Sequence, residues 1–117
     1  MHQFKELIIW QKSRLFCSEI YSITSSFPES EKFGITNQLR RASVSIPSNI
    51  AEGSSRKSNK DFSRFLEIAI GSAYEIETQL LISKDLGFLK THELENLVIQ
   101  LEEIIKMTSK FKSSLKL

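Results

Sequence analysis

The chain has one cysteine, two prolines and four glycines among 117 residues, and each scarcity excludes something. A lone Cys17 cannot close an internal disulfide; a reducing compartment is the simplest setting for it, and a bridge between two copies is the one disulfide left open. Few glycines and prolines, with apolar residues spread from end to end, argue against a turn-rich sheet fold and against long disordered segments. The class that remains is all-α. Long hydrophobic runs are missing too. The longest, "LIIW" and "LEIAIGSAY", fall far short of the roughly 20 residues that span a bilayer, and the opening "MHQFKEL" has no signal-peptide core. The expectation is a cytoplasmic protein of one domain, residues 1–117, without membrane contact. That length can bury a core unaided by disulfide or metal.

Net charge is small, +2, but unevenly placed. Residues 1–39 balance, residues 40–64 carry a local +4, and residues 65–105 carry −6. From Lys106 onward come four lysines and no acid. One corner and one end of the molecule are therefore expected to be basic.

Helical periodicity recurs four times and predicts helices near 7–27, 34–53, 58–86 and 91–115. Phe16, Ile20, Ile23 and Phe27 form the first stripe, which Pro28 ends because a residue before proline disfavours the helical region. Ile35, Leu39, Ala42, Ile46 and Ile50 form the second, with Arg40 and Arg41 off it. Ser58 caps the third helix, aided by Asp61 near its positive end. Phe62, Phe65, Leu66, Ala69, Ala73, Ile76 and Leu80 line its inner face. Ile68, Ile70, Tyr74, Leu81 and Ile82 broaden that face enough to suggest a second contact, within the bundle or with another subunit. Gly87 closes this helix as a left-handed cap. Thr91 is the expected cap of the fourth, whose Leu94, Leu97, Leu101, Ile104, Thr108 and Phe111 point inward. Short connections make neighbours antiparallel, so the expected architecture is an up-down-up-down four-helix bundle.

The corner "SIPSNIAEGSSRKSNKDF" holds the most unusual chemistry. Ile46 and Ile50 stay in phase around Pro47, so a kink is expected there, with the Ser43 carbonyl deprived of its donor. Ser43, Ser45 and Ser48 are close enough to bond freed backbone groups, and Gly53 is expected to cap the helix end. Arg40, Arg41, Arg56, Lys57, Lys60 and Arg64 read as a phosphate-binding patch, with arginine supplying a fork and lysine a point charge. The competing reading is a solvated corner in which Arg40 and Arg41 pair with Glu52 and nearby acids.

Little points to an enzyme. The serines and glycine do not match G-x-x-x-x-G-K-[ST], so a nucleotide loop is not expected. His2 falls in a terminus expected to fray, and His92 stands beside Glu93 without a partner at metal-ligand spacing. Cys17 reads as a packing residue. Glu75 and Glu77 point apart on a helix. No cofactor is expected. Phe62 and Phe65 lie near the basic residues but read as core, which weakens recognition of unpaired bases.

Read together, "QLRRASVSIPSNIAEGSSRKSNKDFSRFLEIAIGSAYEIETQL" resembles the four-helix-bundle proteins encoded within intervening sequences of bacterial 23S ribosomal RNA genes. That group extends to the accessory variability proteins of diversity-generating retroelements. The resemblance runs from "LIIWQKS" through "FPESEKFGITNQLRRA" to the "LGFL" turn and the final helix. It implies a homo-oligomeric ring, a pentamer, with RNA or DNA as ligand, a reverse transcriptase as one candidate partner, and no catalytic residues. Two functions remain: an oligomeric nucleic-acid-binding protein, or a structural adaptor bundle that binds only protein.

Overall fold

The repeating steps of three and four apolar residues fold as four helices, α1 Ile8–Thr24, α2 Ile35–Ser54, α3 Asn59–Asp85 and α4 Thr91–Ser114. The computed structural model describes residues 2–117. Short 3-10 turns at Phe4–Glu6 and Glu29–Glu31 precede α1 and α2. Each helix packs on the next, and α1 also meets α4. The long dimension of the bundle is 44 Å, close to the roughly 40 Å that the 27 residues of α3 span at 1.5 Å each.

The predicted stripes meet in one core. Phe16 and Ile20 from α1, Leu39, Ile46 and Ile50 from α2, Phe62, Leu66, Ile76 and Leu80 from α3, and Leu97, Leu101 and Ile104 from α4 are all buried. Each such side chain contributes roughly 1.5–3 kcal/mol relative to exposure.

Helix ends show where local chemistry overrides periodicity. α1 stops at Thr24, three residues before the expected Phe27, because the amides of Ser25, Ser26 and Phe27 bond carbonyls three residues back. The hydroxyls of Ser25 and Ser26 cap the carbonyls of Ser22 and Ile23. Phe27 remains buried and packs on Phe88, ring centroids 5.5 Å apart. At the start of α3, Ser58 Oγ accepts the Asp61 amide at 3.1 Å, as expected of the cap. At its end Gly87 adopts φ 82°. The Phe88 and Gly87 amides then bond the carbonyls of Ser83 and Lys84, a Schellman closure. Thr91 opens α4 instead of capping it. Lys90 is the cap residue, and its amide donates to Glu93 Oε1 at 2.8 Å.

Two expectations for α2 need correction. The helix runs unbroken through Pro47 to Ser54, so Gly53 is not its terminal cap. Gly53 is buried instead, and a β-carbon there would lie 2.7 Å from Phe65 Cβ and 2.8 Å from Phe62 Cδ1. Its missing side chain lets α2 and α3 approach. Ser43 and Ser45 also bond elsewhere, and Ser48 is exposed. Ser43 Oγ donates to the Arg40 carbonyl at 2.9 Å, and the Ser45 and Ser72 hydroxyls pair at 2.8 Å across α2 and α3. The side chain serving the backbone beside the proline is Asn49, whose amide donates to the Ser45 carbonyl.

Candidate nucleic-acid interface

Residues 55–58 form the link between α2 and α3, and the first two turns of α3 carry Lys60 and Arg64 outward. Arg56, Lys57, Lys60 and Arg64 are all exposed at this end of the bundle. Arg56 donates to Glu52 Oε2 at 2.9 Å and lies over the Phe65 ring, 4.8 Å from its centroid. Glu52 therefore answers Arg56, its neighbour one turn away, and not Arg40 or Arg41. An exposed pair of this kind is worth about 0–1 kcal/mol and is easily exchanged for a phosphate. Among the described residues Lys57, Lys60 and Arg64 join no ion pair.

The end of α4 completes this surface. Asn59 Nδ2 donates to the Lys116 carbonyl at 2.9 Å. The rings of Phe62 and Phe111 meet at 5.6 Å, and Lys112 pairs with Glu67 at 3.2 Å. These contacts bring Lys110, Lys112 and Lys116 to the end of the molecule that holds Lys57, Lys60 and Arg64. His2, expected in a fraying terminus, packs on Phe62 and Phe111 at 5.1 and 5.6 Å. Two acids outside the ion pairs lie at this end: Asp61 in the first turn of α3 and Glu6, which lines a groove with Lys110 and Phe111. Lysine ammonium groups act as point charges for phosphate, and the positive end of α3 adds to the same field.

Arg40 and Arg41 do not belong to this surface. They occupy the second turn of α2, about 21 Å along the helix from Ser54. The 40–64 window concentrates charge in sequence, but it contains most of a helix, so its two halves lie at opposite ends of the bundle. Arg40 is half-buried and ties α2 to α1. Its Nε donates to Thr24 Oγ1 at 2.9 Å, its Nη2 to the Tyr21 carbonyl at 3.3 Å, and its guanidinium lies 4.7 Å from the Tyr21 ring centroid. Arg41 is exposed.

The remaining reactive side chains do not converge. Cys17 is half-buried, with its Sγ 3.4 Å from the Ser43 hydroxyl oxygen. His92 lines an open groove with Glu19 and Glu93. No group of three or more His, Cys, Asp or Glu among the described residues is placed to hold a metal ion. No helix among them is long and apolar enough to cross a membrane.

Comparison with known proteins agrees with this architecture. A crystal structure of a protein of unknown function from the S23 ribosomal protein family of Bacteroides thetaiotaomicron superposes with a TM-score of 0.82 at 25% identity. The match covers 92% of this chain and 100% of that one. No curated protein matches the chain. The family model described as 23S rRNA-intervening sequence protein matches residues 5–110. With that match spanning nearly all of the four helices, the chain belongs to the 23S rRNA-intervening sequence protein family.

Proposed function

We propose that this is a non-enzymatic cytoplasmic protein that binds nucleic acid as a homo-oligomer, gripping phosphates through the basic end built by the α2–α3 link, the start of α3 and the end of α4. The observation that carries the reading is the junction of Asn59 with Lys116 and of Phe62 with Phe111, which joins two basic segments far apart in sequence. Phosphate contact of this kind is independent of sequence and strongly salt-dependent. The family's description makes structured RNA the first ligand to test, and the resemblance to retroelement accessory proteins adds a reverse transcriptase as a candidate partner.

Assembly is the second part of the proposal. Ile68, Tyr74, Leu81 and Ile82 stand 44–57% exposed on α3, an apolar surface that a second copy would cover. The proposed protomer is an up-down-up-down bundle. Three proximities support it: the end of α1 meets the start of α2 at Thr24 and Arg40, the end of α2 meets the start of α3 at Gly53 and Phe65, and Phe27 in the first connection packs on Phe88 in the last. The proposed assembly is a closed ring, a pentamer. A ring repeats the basic end in every subunit and multiplies its attraction for a polyanion. The same exposed apolar residues favour the alternative, an adaptor that binds only protein.

A gel-shift series separates the two. Wild type should bind duplex RNA with an affinity that falls steeply as salt rises, and Lys57→Gln with Lys60→Gln should weaken it. Absence of salt-sensitive binding to duplex, single-stranded RNA and DNA alike would leave the adaptor reading.

A further inference from the structure

The α1–α2 end of the bundle carries a polar pocket remote from the proposed nucleic-acid surface. It measures about 140 Å³, and its lining includes Thr24, Ser25, Glu29, Lys32, Thr36 and Arg40. A water takes up about 30 Å³ in the liquid, so a group of several heavy atoms fits.

Three features define what that group should be. The Arg40 guanidinium is fixed by its bonds to Thr24 and the Tyr21 carbonyl, which leaves other donors of its five-donor fork for a ligand. Lys32 adds a second cation, against Glu29 as the one acid of the lining. Thr36 is only 6% exposed, yet its hydroxyl has no hydrogen-bond partner. Native structures leave few buried polar groups in that state, because each costs its full desolvation. An anion rich in acceptor oxygens satisfies both cations, and it satisfies the hydroxyl, which is closed off from solvent, once the Thr36 side chain turns toward the pocket.

We infer that this pocket binds a phosphate group, with Arg40 as the fork, Lys32 as the point charge and Thr36 as a neutral donor. The phosphate has two sources, a free anion or a nucleotide strand. Phe33 bears on the choice. It is 87% exposed, and Lys32 Nζ lies 5.6 Å from its ring centroid. A flat exposed ring beside a phosphate site is a stacking surface for an unpaired base.

The test is a nuclear magnetic resonance titration of the full chain with inorganic phosphate, then with a short single strand. Phosphate should move the Thr36 amide and Arg40 Nε resonances. Thr36→Val should weaken that binding roughly tenfold, while raising the melting temperature without phosphate because a buried unpaired hydroxyl is gone. Lys32→Gln should weaken binding without that gain. These two variants carry the test because replacing Arg40 also cuts the tie to α1. Unmoved resonances, or wild-type phosphate binding by both variants, would overturn the assignment. If Phe33→Ala weakens the strand but not inorganic phosphate, the ligand carries a base; equal binding of both assigns the free anion. Lys57→Gln with Lys60→Gln should leave these shifts intact, so failure at one end is distinguishable from failure at the other.

Discussion

Gly53 on α2 lies so close to Phe65 on α3 that a β-carbon added to the glycine would stand 2.7 Å from the Phe65 Cβ. Phe65 Cβ is anchored to backbone, so the clash is relieved only by moving a helix. In a free helix Gly→Ala gains about 1 kcal/mol, but overpacking of this kind costs about 1–3 kcal/mol. Gly53→Ala should therefore be net destabilising, and urea unfolding should show a lower midpoint.

Gly71 gives the opposite expectation from the same substitution. It is exposed within α3, and nothing lies within 4 Å of a β-carbon built there. In an isolated protomer Gly71→Ala should stabilise by about 0.5–1 kcal/mol. Because Ile68, Tyr74 and Ile82 share the outer part of this helix, a subunit packing closely on it would reverse the sign. Sedimentation reads this directly: reduced mass with Gly71→Ala places the glycine in the oligomer contact, and unchanged mass with a higher melting temperature places the contact elsewhere.

Pro47 poses a related question in α2, where the helix continues through it without the Ser43 carbonyl's usual donor. Pro47→Ala restores that donor. If the proline shapes the helix for assembly, the variant should lose oligomer mass despite a more favourable interior residue. An intact oligomer that melts higher would show that the proline is merely tolerated.

The sequence displays the helices and the inward face of each because burial acts at the scale of one turn. Leu39, Ile46, Ile50, Leu66, Ile76, Leu80 and Leu101 are all less than 2% exposed, and each stands on its expected stripe. Gly87 and Ser58 were readable for a similar reason: their roles are local. Gly53 was not, since its function is the proximity of Phe65, which no neighbour in sequence reveals. The same limit split the basic site. Arg40 sits near Lys57 in the sequence but most of a helix away in space, whereas Lys116 meets Asn59 only through the packing of α4 on α3. Phe62 and Phe111 mark that junction, but as two phenylalanines on separate apolar stripes they carried no signal of being partners.

That junction changes what the lysine tail should do. A tail trailing into solvent would be a secondary contact, and its removal should cost less than substitution at the corner. Here Lys110, Lys112 and Lys116 share one end of the bundle with Lys57, Lys60 and Arg64, so a duplex laid across that end meets both groups. Neutralising each phosphate contact makes the log–log salt slope shallower by about 0.9 on duplex RNA if it behaves as B-form DNA does. Lys110→Gln with Lys116→Gln should therefore lower duplex affinity and flatten the slope by up to about 1.8, matching Arg56→Gln with Lys57→Gln. Both tail lysines are exposed and outside the ion pairs, so helicity and mass should not change. Arg41→Gln, at the far end of α2, should leave the duplex slope as it is. The decisive comparison is a filter-binding series at several salt concentrations. If the tail variant retains the wild-type slope while the corner variant loses it, the corner alone holds the duplex and the end of α4 serves only to pack against α3.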